Sequence, residues 1–494
     1  MGTVHRFPVE RKTMPARAAE GAAVELARAL RVCVDAMVGA DASFSQREDA
    51  ALELGNEATR LFLCDDLVAI AERHGEAVEV EGHIYKRHEP GTVRYYTLCG
   101  AIDIERFTYR EVAMQNGPTI VPMELEAGLV EGTTPALGYR IMLGYAKDHM
   151  RSCEEDMKAD HRRPPSRSTM ERTAKAIGAQ AKVVLPRIEP RLRNAEPVPE
   201  GTIAISVGLD RTSVPMEEPQ AADNETPRKR RKKRTKPYER KKPEPVDVNY
   251  RMAYVGTVGF YNADGEKLAS RCYAAAAHES PTEQIVSRIM ADLRSALRAA
   301  PTLAVGVVQD GAPELWNLVS PALAAEPLVA ETRCYEAIDR YHLNERLGNI
   351  LRCTEPDVAR RMARLSAWNT SLDQSDTAIY RIREFVRAVH SEAIAKNDPT
   401  LLEQLEPHLT YLENNAHRMR YVRLIEAGLP IGSGATEGAC KSVIQKRANS
   451  GGQRWRHVGL EAVVTLRAVH LSERLPRFWA HFAAAYRNEV TKCA

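Results

Sequence analysis

Thr202-Ile-Ala-Ile-Ser-Val-Gly-Leu-Asp210 is the run that decides how this chain is read. Its β-branched and small residues, with no charge before the end, predict a strand buried on both faces. It closes on an aspartate, which is costly at the exit of a buried strand unless water, a hydrogen bond or a cation satisfies it. Thr302-Leu-Ala-Val-Gly-Val-Val-Gln-Asp310 repeats the pattern. One strand-end aspartate commonly caps the next turn. Two of them, joined by a third carboxylate, make the oxygen set that holds a pair of divalent cations for phosphoryl transfer.

A third carboxylate is available in LPIGSGATEGACKSVIQKRANSGGQRW, Leu429–Trp455. Pro430 to Gly434 form a turn-rich stretch that interrupts any helix. A helix is expected to start near Thr436 and run through Lys446, with Glu437 in its first turn, where the helix dipole favours a negative charge. From there the carboxylate can be aimed out of the helix end at a metal. Lys441, four residues on, shares its face. Alone, this segment reads as an acidic first turn with a helical ion pair; the two aspartate runs change the balance.

Between these stretches lie the strand Tyr250–Tyr261, a turn at Ala263–Gly265, the strand Leu268–Ala275 and the amphipathic helix Pro281–Ala299. After Asp310 come a helix, Glu314–Ala325, and a further strand with its exit, Cys334–His342. The order strand–hairpin–strand–helix–strand–helix–strand predicts a ribonuclease H-like α/β core over residues 196–344, a mixed sheet flanked by helices with Asp210 and Asp310 side by side. No glycine occurs between Asn349 and Ala427. Helices Val358–Trp368, Ala378–Ile394, Leu401–Leu405 and Tyr411–Ile425, parted near Pro399 and Pro407, predict an all-α insertion over 345–428. Residues 429–494 then return to the core, with a helix at Gly459–Leu471 and the aromatics of Arg477-Phe-Trp479 pinning the tail.

Upstream, residues 1–76 read as two helices, Ala18–Met37 and one capped by Ser45. Residues 77–130 alternate as a small β-meander turning at Glu89-Pro-Gly-Thr92. In 131–195 a helix Pro135–Lys158, a turn at Arg162–Pro165 and a short helix Ser166–Gly178 resemble a helix-turn-helix, with Ser168, Thr169 and Arg172 toward DNA. A plain helical hairpin accounts for the same residues equally well.

The sharpest change in composition is TPRKRRKKRTKPYERKK, residues 226–242, which carries Arg228, Lys229, Arg230, Arg231, Lys232, Lys233 and Arg234. Such runs are often solvated loops. Beside a candidate metal site it suits sequence-independent contact with phosphates. Over the whole chain, 69 Lys+Arg nearly balance 66 Asp+Glu, so any nucleic-acid surface is local. The length, 494 residues, implies two to four domains. Nine cysteines without a C-x-x-C pair argue against a zinc ribbon or a disulfide scaffold and fit a reducing compartment. No apolar run is long enough to span a membrane and the N-terminus lacks an apolar signal core, so a soluble, cytoplasmic, nucleoid-associated protein is expected.

The motifs IGSGATEGACK, K-R, G-G-Q-R-W, L-R-A-V-H-L-S and F-W resemble the C-terminal signature of bacterial insertion-sequence transposases of the ISKra type. GLDRT, VVQDGA and DRYHLNERL follow in the order of that family's DDE catalytic core, and the likeness covers roughly Ile203 to Trp479. The N-terminal TLCGAIDIERFTYREV and IVPMELEAGL are similar too, but the family's cysteine pair is missing there, which counts against zinc-supported DNA binding. The resemblance implies a DNA transposase in which Asp210, Asp310 and Glu437 hold two Mg²⁺ (or Mn²⁺). It implies double-stranded DNA, both element ends and target, as partner, and a homodimer or higher oligomer on that DNA. Lys441, Lys446, Arg447 and Arg454 become phosphate contacts, Trp455 a base-stacking or packing residue, and Asp339 and His342 second-tier site residues. A nuclease or resolvase on the same fold, or a domesticated non-catalytic DNA-binding protein, stays open as an alternative.

Overall fold

The computed structural model describes residues 16–112, 114, 117–219, 245–276, 282–329 and 333–493. The chain is mixed α/β and divides into two compact units, 1–192 with 473–494, and 193–472. The basic run at 226–242 lies outside the described residues.

The first unit opens with helices α1 (Ala16–Val38) and α2 (Phe44–Arg73). Ser43 rather than Ser45 caps α2, in a reciprocal box with Gln46. Strands β1 (Ala77–Val80), β2 (His83–Thr97), β3 (Gly100–Glu111) and β4 (Thr119–Ile120) form the expected meander. The predicted turn at Glu89–Thr92 is instead a register shift inside the long strand β2; the chain reverses between Thr97 and Gly100. A bulge absorbs Pro90, which cannot donate to a ladder. Helix α3 (Pro122–Ala127) follows. The single helix predicted over 135–158 is two, α4 (Pro135–Lys147) and α5 (Met150–Ala159), parted where Asp148 and His149 are extended. The short helix predicted to end at Gly178 is the first part of α6 (Arg167–Asn194). Gly178 is buried within it, on the same face as Met170, Ala174 and Ile177, so side-chain packing overrides the glycine as a stop.

The second unit carries the sheet that organises the candidate site. Strands β5 (Ala204–Pro219) and β6 (Val246–Tyr261) pair antiparallel over their whole length, and β7 (Lys267–Ala276) pairs antiparallel with β6. Helix α7 (Thr282–Ala299) leads to β8 (Ala304–Gln309), parallel to β5, and α8 (Pro313–Ala324) to β9 (Cys334–Ile338), parallel to β8. The spatial order is β7-β6-β5-β8-β9, or third, second, first, fourth, fifth in the chain's own sequence. Leu209, Phe260, Ile285, Ile289, Leu293, Val307 and Trp316 belong to one buried cluster, and Ala204, Val308, Ala337 and Leu429 to another. Alternation along β5 and β8 divides side chains between the two.

An all-helical stretch follows β9: α9 (Arg340–Thr354), α10 (Val358–Gln374), α11 (Ala378–Ala395), α12 (Pro399–Asn415) and α13 (Val422–Glu426). Pro407 does not separate two helices as predicted; α12 runs through it. Leu405, Leu409 and Leu412 bury that helix in the core, which offsets the one missing backbone hydrogen bond. Next come α14 (Gly434–Cys440), a π-helical turn at Lys441–Gln445, and α15 (Lys446–Ala448), so the expected Glu437 helix exists but is widened at its middle. Helix α16 (His457–Leu471) is buried along nearly its whole length. The tail does not stay with the core. Helix α17 (Leu475–Ala484) and strand β10 (Thr491–Lys492) belong to the first unit, where Trp479 packs beside Tyr139 and β10 pairs with β1.

Candidate active site

Asp210 was expected at the exit of its strand, yet β5 continues for nine residues beyond it, held by β6. What ends early is the parallel neighbour. The β5–β8 pairing stops at Val207–Val307, leaving Asp210 on the side of β5 that faces a notch. Asp310 sits just past the end of β8, and the amide of Asp339, past the end of β9, donates to the Gln309 carbonyl at 2.9 Å. Asp210 within β5, and Asp310 and Asp339 just past β8 and β9, thus come from adjacent strands at one edge of the sheet.

Glu437 reaches that edge because α14 lies directly on the sheet. A Cβ at Gly208 would meet the Thr436 hydroxyl and come within 2.9 Å of the Val308 carbonyl, so only glycine admits the helix this closely. Thr436 and Thr257 share a buried hydrogen bond of 2.7 Å across the same contact. One helical position further on, Glu437 enters a cavity of about 230 Å³ lined also by Asp210, Gln309, Asp310, His342 and Lys441.

The carboxylates of this cavity are served mainly by neutral donors. Asp210 accepts from the Arg211 amide at 2.7 Å and Asp310 from the Ala312 amide at 2.9 Å. Lys441 stands 3.9 Å from Glu437. Burial, and then the charges of Asp310 and Glu437, raise the Asp210 carboxyl above its ordinary value, against the opposing hydrogen bonds from the Arg211 amide and the Cys440 thiol. Burial and the neighbouring Asp210 push the Cys440 thiol up to about 12, so it stays protonated as a donor. Repulsion among three carboxylates, with hard oxygen donors facing one cavity, is the condition that a divalent cation such as Mg²⁺ or Mn²⁺ relieves.

Among the described residues the tightest His/carboxylate grouping is a different one, Asp339 with His342 and Glu437, whose donor atoms all lie within 4.8 Å. Asp339 is a poor ligand there. Its Oδ1 accepts from the amides of Tyr341 and His342 at 2.7 and 3.0 Å, capping α9, and its Oδ2 accepts from the Ser433 hydroxyl at 2.7 Å and the Ser433 amide. Burial pushes the Asp339 carboxyl up, but the hydrogen bonds from His342 and Ser433 outweigh it and hold it well below the usual carboxylate range. The hydrogen bond to Asp339 raises His342 to about 9, so the ring is held as a donor to that carboxylate. Asp339 is a hub for hydrogen bonds, and Ser433 is its link to the cavity: the serine oxygen is also 2.9 Å from Glu437 Oε1. That hydroxyl has one hydrogen for two carboxylates.

The remaining sequence-predicted residues divide. Lys446 and Arg454 are exposed, as phosphate contacts require. Arg447 is not available: it is buried beside the Trp455 ring. Trp455 is half-buried and held to the backbone, its indole donating to the Ala448 carbonyl at 3.1 Å and its carbonyl accepting from the Glu217 amide at 2.7 Å, so packing is its role here. Ser168 and Arg172 are exposed on α6, while Thr169 is half-buried against Ser166. Arg228 to Arg234 lie outside the described residues. Sequence reasoning missed Ser433, Thr436 and Cys440. Their spacing from Glu437, four residues before, one before and three after, is the signal that could have marked the first and last as sharing its face.

No protein-family model matches the chain, and comparison with curated proteins gave no match. No helix among the described residues is long and apolar enough to cross a membrane.

Proposed function

We propose that the chain is a DNA transposase of the DDE class, of the insertion-sequence type that its motifs resemble, built on a ribonuclease H-like core. One observation carries the reading: Asp210, Asp310 and Glu437, from two adjacent parallel strands and a helix far downstream, line a single cavity. The sheet order, with an antiparallel hairpin on one side of β5 and parallel strands on the other, supports the fold assignment. The helical stretch α9 to α13 between the second and third carboxylates supports it as well.

Asp210, Asp310 and Glu437 would hold two Mg²⁺ or Mn²⁺ ions, which when bound activate the attacking oxygen and stabilise the leaving one in an in-line displacement. The chain's own residues set up the rest. The Arg211 and Ala312 amides orient the aspartates, Ser433 and Lys441 orient Glu437, and His342 adds a positive charge on the cavity wall. The exposed Lys446 and Arg454, and the basic run 226–242, are the candidates for gripping the DNA backbone, with Ser168 and Arg172 of α6 as candidates for reading the element ends.

The test is strand cleavage and joining on DNA that carries the repeats flanking the coding region, with Mg²⁺ or Mn²⁺. Replacing any one of Asp210, Asp310 or Glu437 by Ala should abolish both reactions and leave binding within about two-fold, since those side chains face the metals rather than the phosphates. Cleavage by Glu437→Ala would remove it from the triad. Cleavage without joining by the unaltered chain would favour a nuclease or resolvase.

A further inference from the structure

Beside the cavity, on its helical side, stands a positive charge with no obvious purpose. Arg346 is half-buried on α9, one turn after His342, and among the described residues no carboxylate pairs with it. Two other arginines of this unit are matched, Arg340 with Asp373 and Arg418 with Glu336. The Arg346 guanidinium lies over the Tyr411 ring, 3.8 Å from its centroid, and its Nη1 is 3.3 Å from His408 Nδ1. That contact requires a lone pair on Nδ1. Burial, and then Arg346 itself, lower the basicity of His408, which keeps the ring neutral with its hydrogen on Nε2. Tyr411 in turn abuts Gly311, the residue after Asp310, where a Cβ would leave the ring no room. A flat cation is thereby stacked, oriented and partly dehydrated next to the carboxylate cluster, with most of its five N–H groups unspent.

Building on the transposase reading, we propose that Arg346, with Tyr411 as its platform and His408 as a second donor, is a subsite for one backbone phosphodiester of nucleic acid next to the scissile phosphate. A guanidinium suits this better than an ammonium because its fork matches two phosphate oxygens at once. The site explains why α9 and α12 close over the edge of the sheet at Asp310: they bring a cation to a place where the carboxylates alone would repel a polyanion. Arg346 grips one phosphate in one register.

The test uses the full chain with Ca²⁺ in place of Mg²⁺, and duplexes of the element end carrying a single neutral methylphosphonate at successive positions. Arg346→Ala should bind the unmodified duplex about ten-fold more weakly, with the slope of log affinity against log salt reduced by about one. Arg346→Lys should recover only part of the affinity. One methylphosphonate position, adjacent to the cleavage site, should cost the unaltered protein as much as Arg346→Ala does and cost Arg346→Ala nothing more. Thermal melting of both variants guards against a folding defect, and a melting point unchanged together with unchanged affinity and slope would overturn the subsite while leaving the transposase reading intact. Saturable binding of inorganic phosphate that depends on Arg346, with DNA affinity unaffected, would overturn it in favour of a free-anion site. An unaltered chain that binds no DNA would overturn both readings.

Discussion

Ser433 offers one hydrogen to Asp339 Oδ2 at 2.7 Å and Glu437 Oε1 at 2.9 Å. Because Asp339 also holds the Ser433 amide, the serine oxygen is fixed in space and Glu437 must orient around it. Ser433→Ala should therefore leave Glu437 free to rotate and weaken Mn²⁺ binding by about ten-fold, the usual scale for partners that orient a metal ligand. Ser433→Thr, which keeps the hydroxyl, should bind nearly as the parent does. Titration followed by electron paramagnetic resonance reads this without any turnover, and equal midpoints for the Ala and parent proteins would show that Glu437 orients itself. Sequence reasoning found Glu437 from its helical position and Asp339 as a second-tier residue, but Ser433 was legible only as a turn residue. Its function depends on two carboxylates that tertiary structure brings to it from elsewhere in the chain.

For the elements, the approach that positions Glu437 is that of α14 to β5 and β6. Gly208 makes it possible and the Thr257–Thr436 hydrogen bond holds it. Gly208→Ala should push α14 off the sheet, costing about 1–3 kcal/mol of stability by overpacking and lowering cleavage more than DNA binding, because Glu437 moves with the helix. Denaturant unfolding beside a cleavage assay checks this; full cleavage in a destabilised protein would mean that α14 tolerates displacement. The π-helical turn at Lys441–Gln445 follows directly, and such turns are frequent at functional sites. It was not legible in the sequence, since nothing in KSVIQ departs from an ordinary helical pattern. The strand β5 is a similar case: its apolar half was legible, but its extension through Asp210 to Pro219 depends on β6 pairing with it residue for residue.

Across the whole molecule, two basic features are expected to act differently on DNA. Deleting residues 228–242 of the basic run should weaken binding to every duplex and flatten its salt dependence, by about one counterion for each phosphate the run had neutralised. Arg172 stands exposed on α6, where a base contact worth about 1–3 kcal/mol of discrimination is geometrically open. Arg172→Ala should then reduce preference for element ends by about ten-fold and change binding to random duplex less. Both variants are compared on both DNAs at one salt concentration and over a salt series. Equal weakening on the two DNAs would make Arg172 a phosphate contact, and an unchanged salt slope after the deletion would leave the basic run idle.

The sequence by itself determined those features that local chemistry dictates. Buried β-branched runs predicted the strands of the second unit, helical patterning without glycine predicted α10 and α11, and the first-turn Glu437 predicted which end of its helix carries the carboxylate. Only the tertiary structure decided where chain segments that look alike belong. Phe478 and Trp479 were legible as anchors, but not as anchors of the first unit, because burial needs a complementary surface and the sequence does not say which surface lies opposite. Arg447 and Arg454 illustrate the same limit: both are arginines of one basic stretch, yet the first is buried beside Trp455 and the second meets solvent. Charge is a property of the residue, whereas its availability to a ligand is set by whatever folds over it.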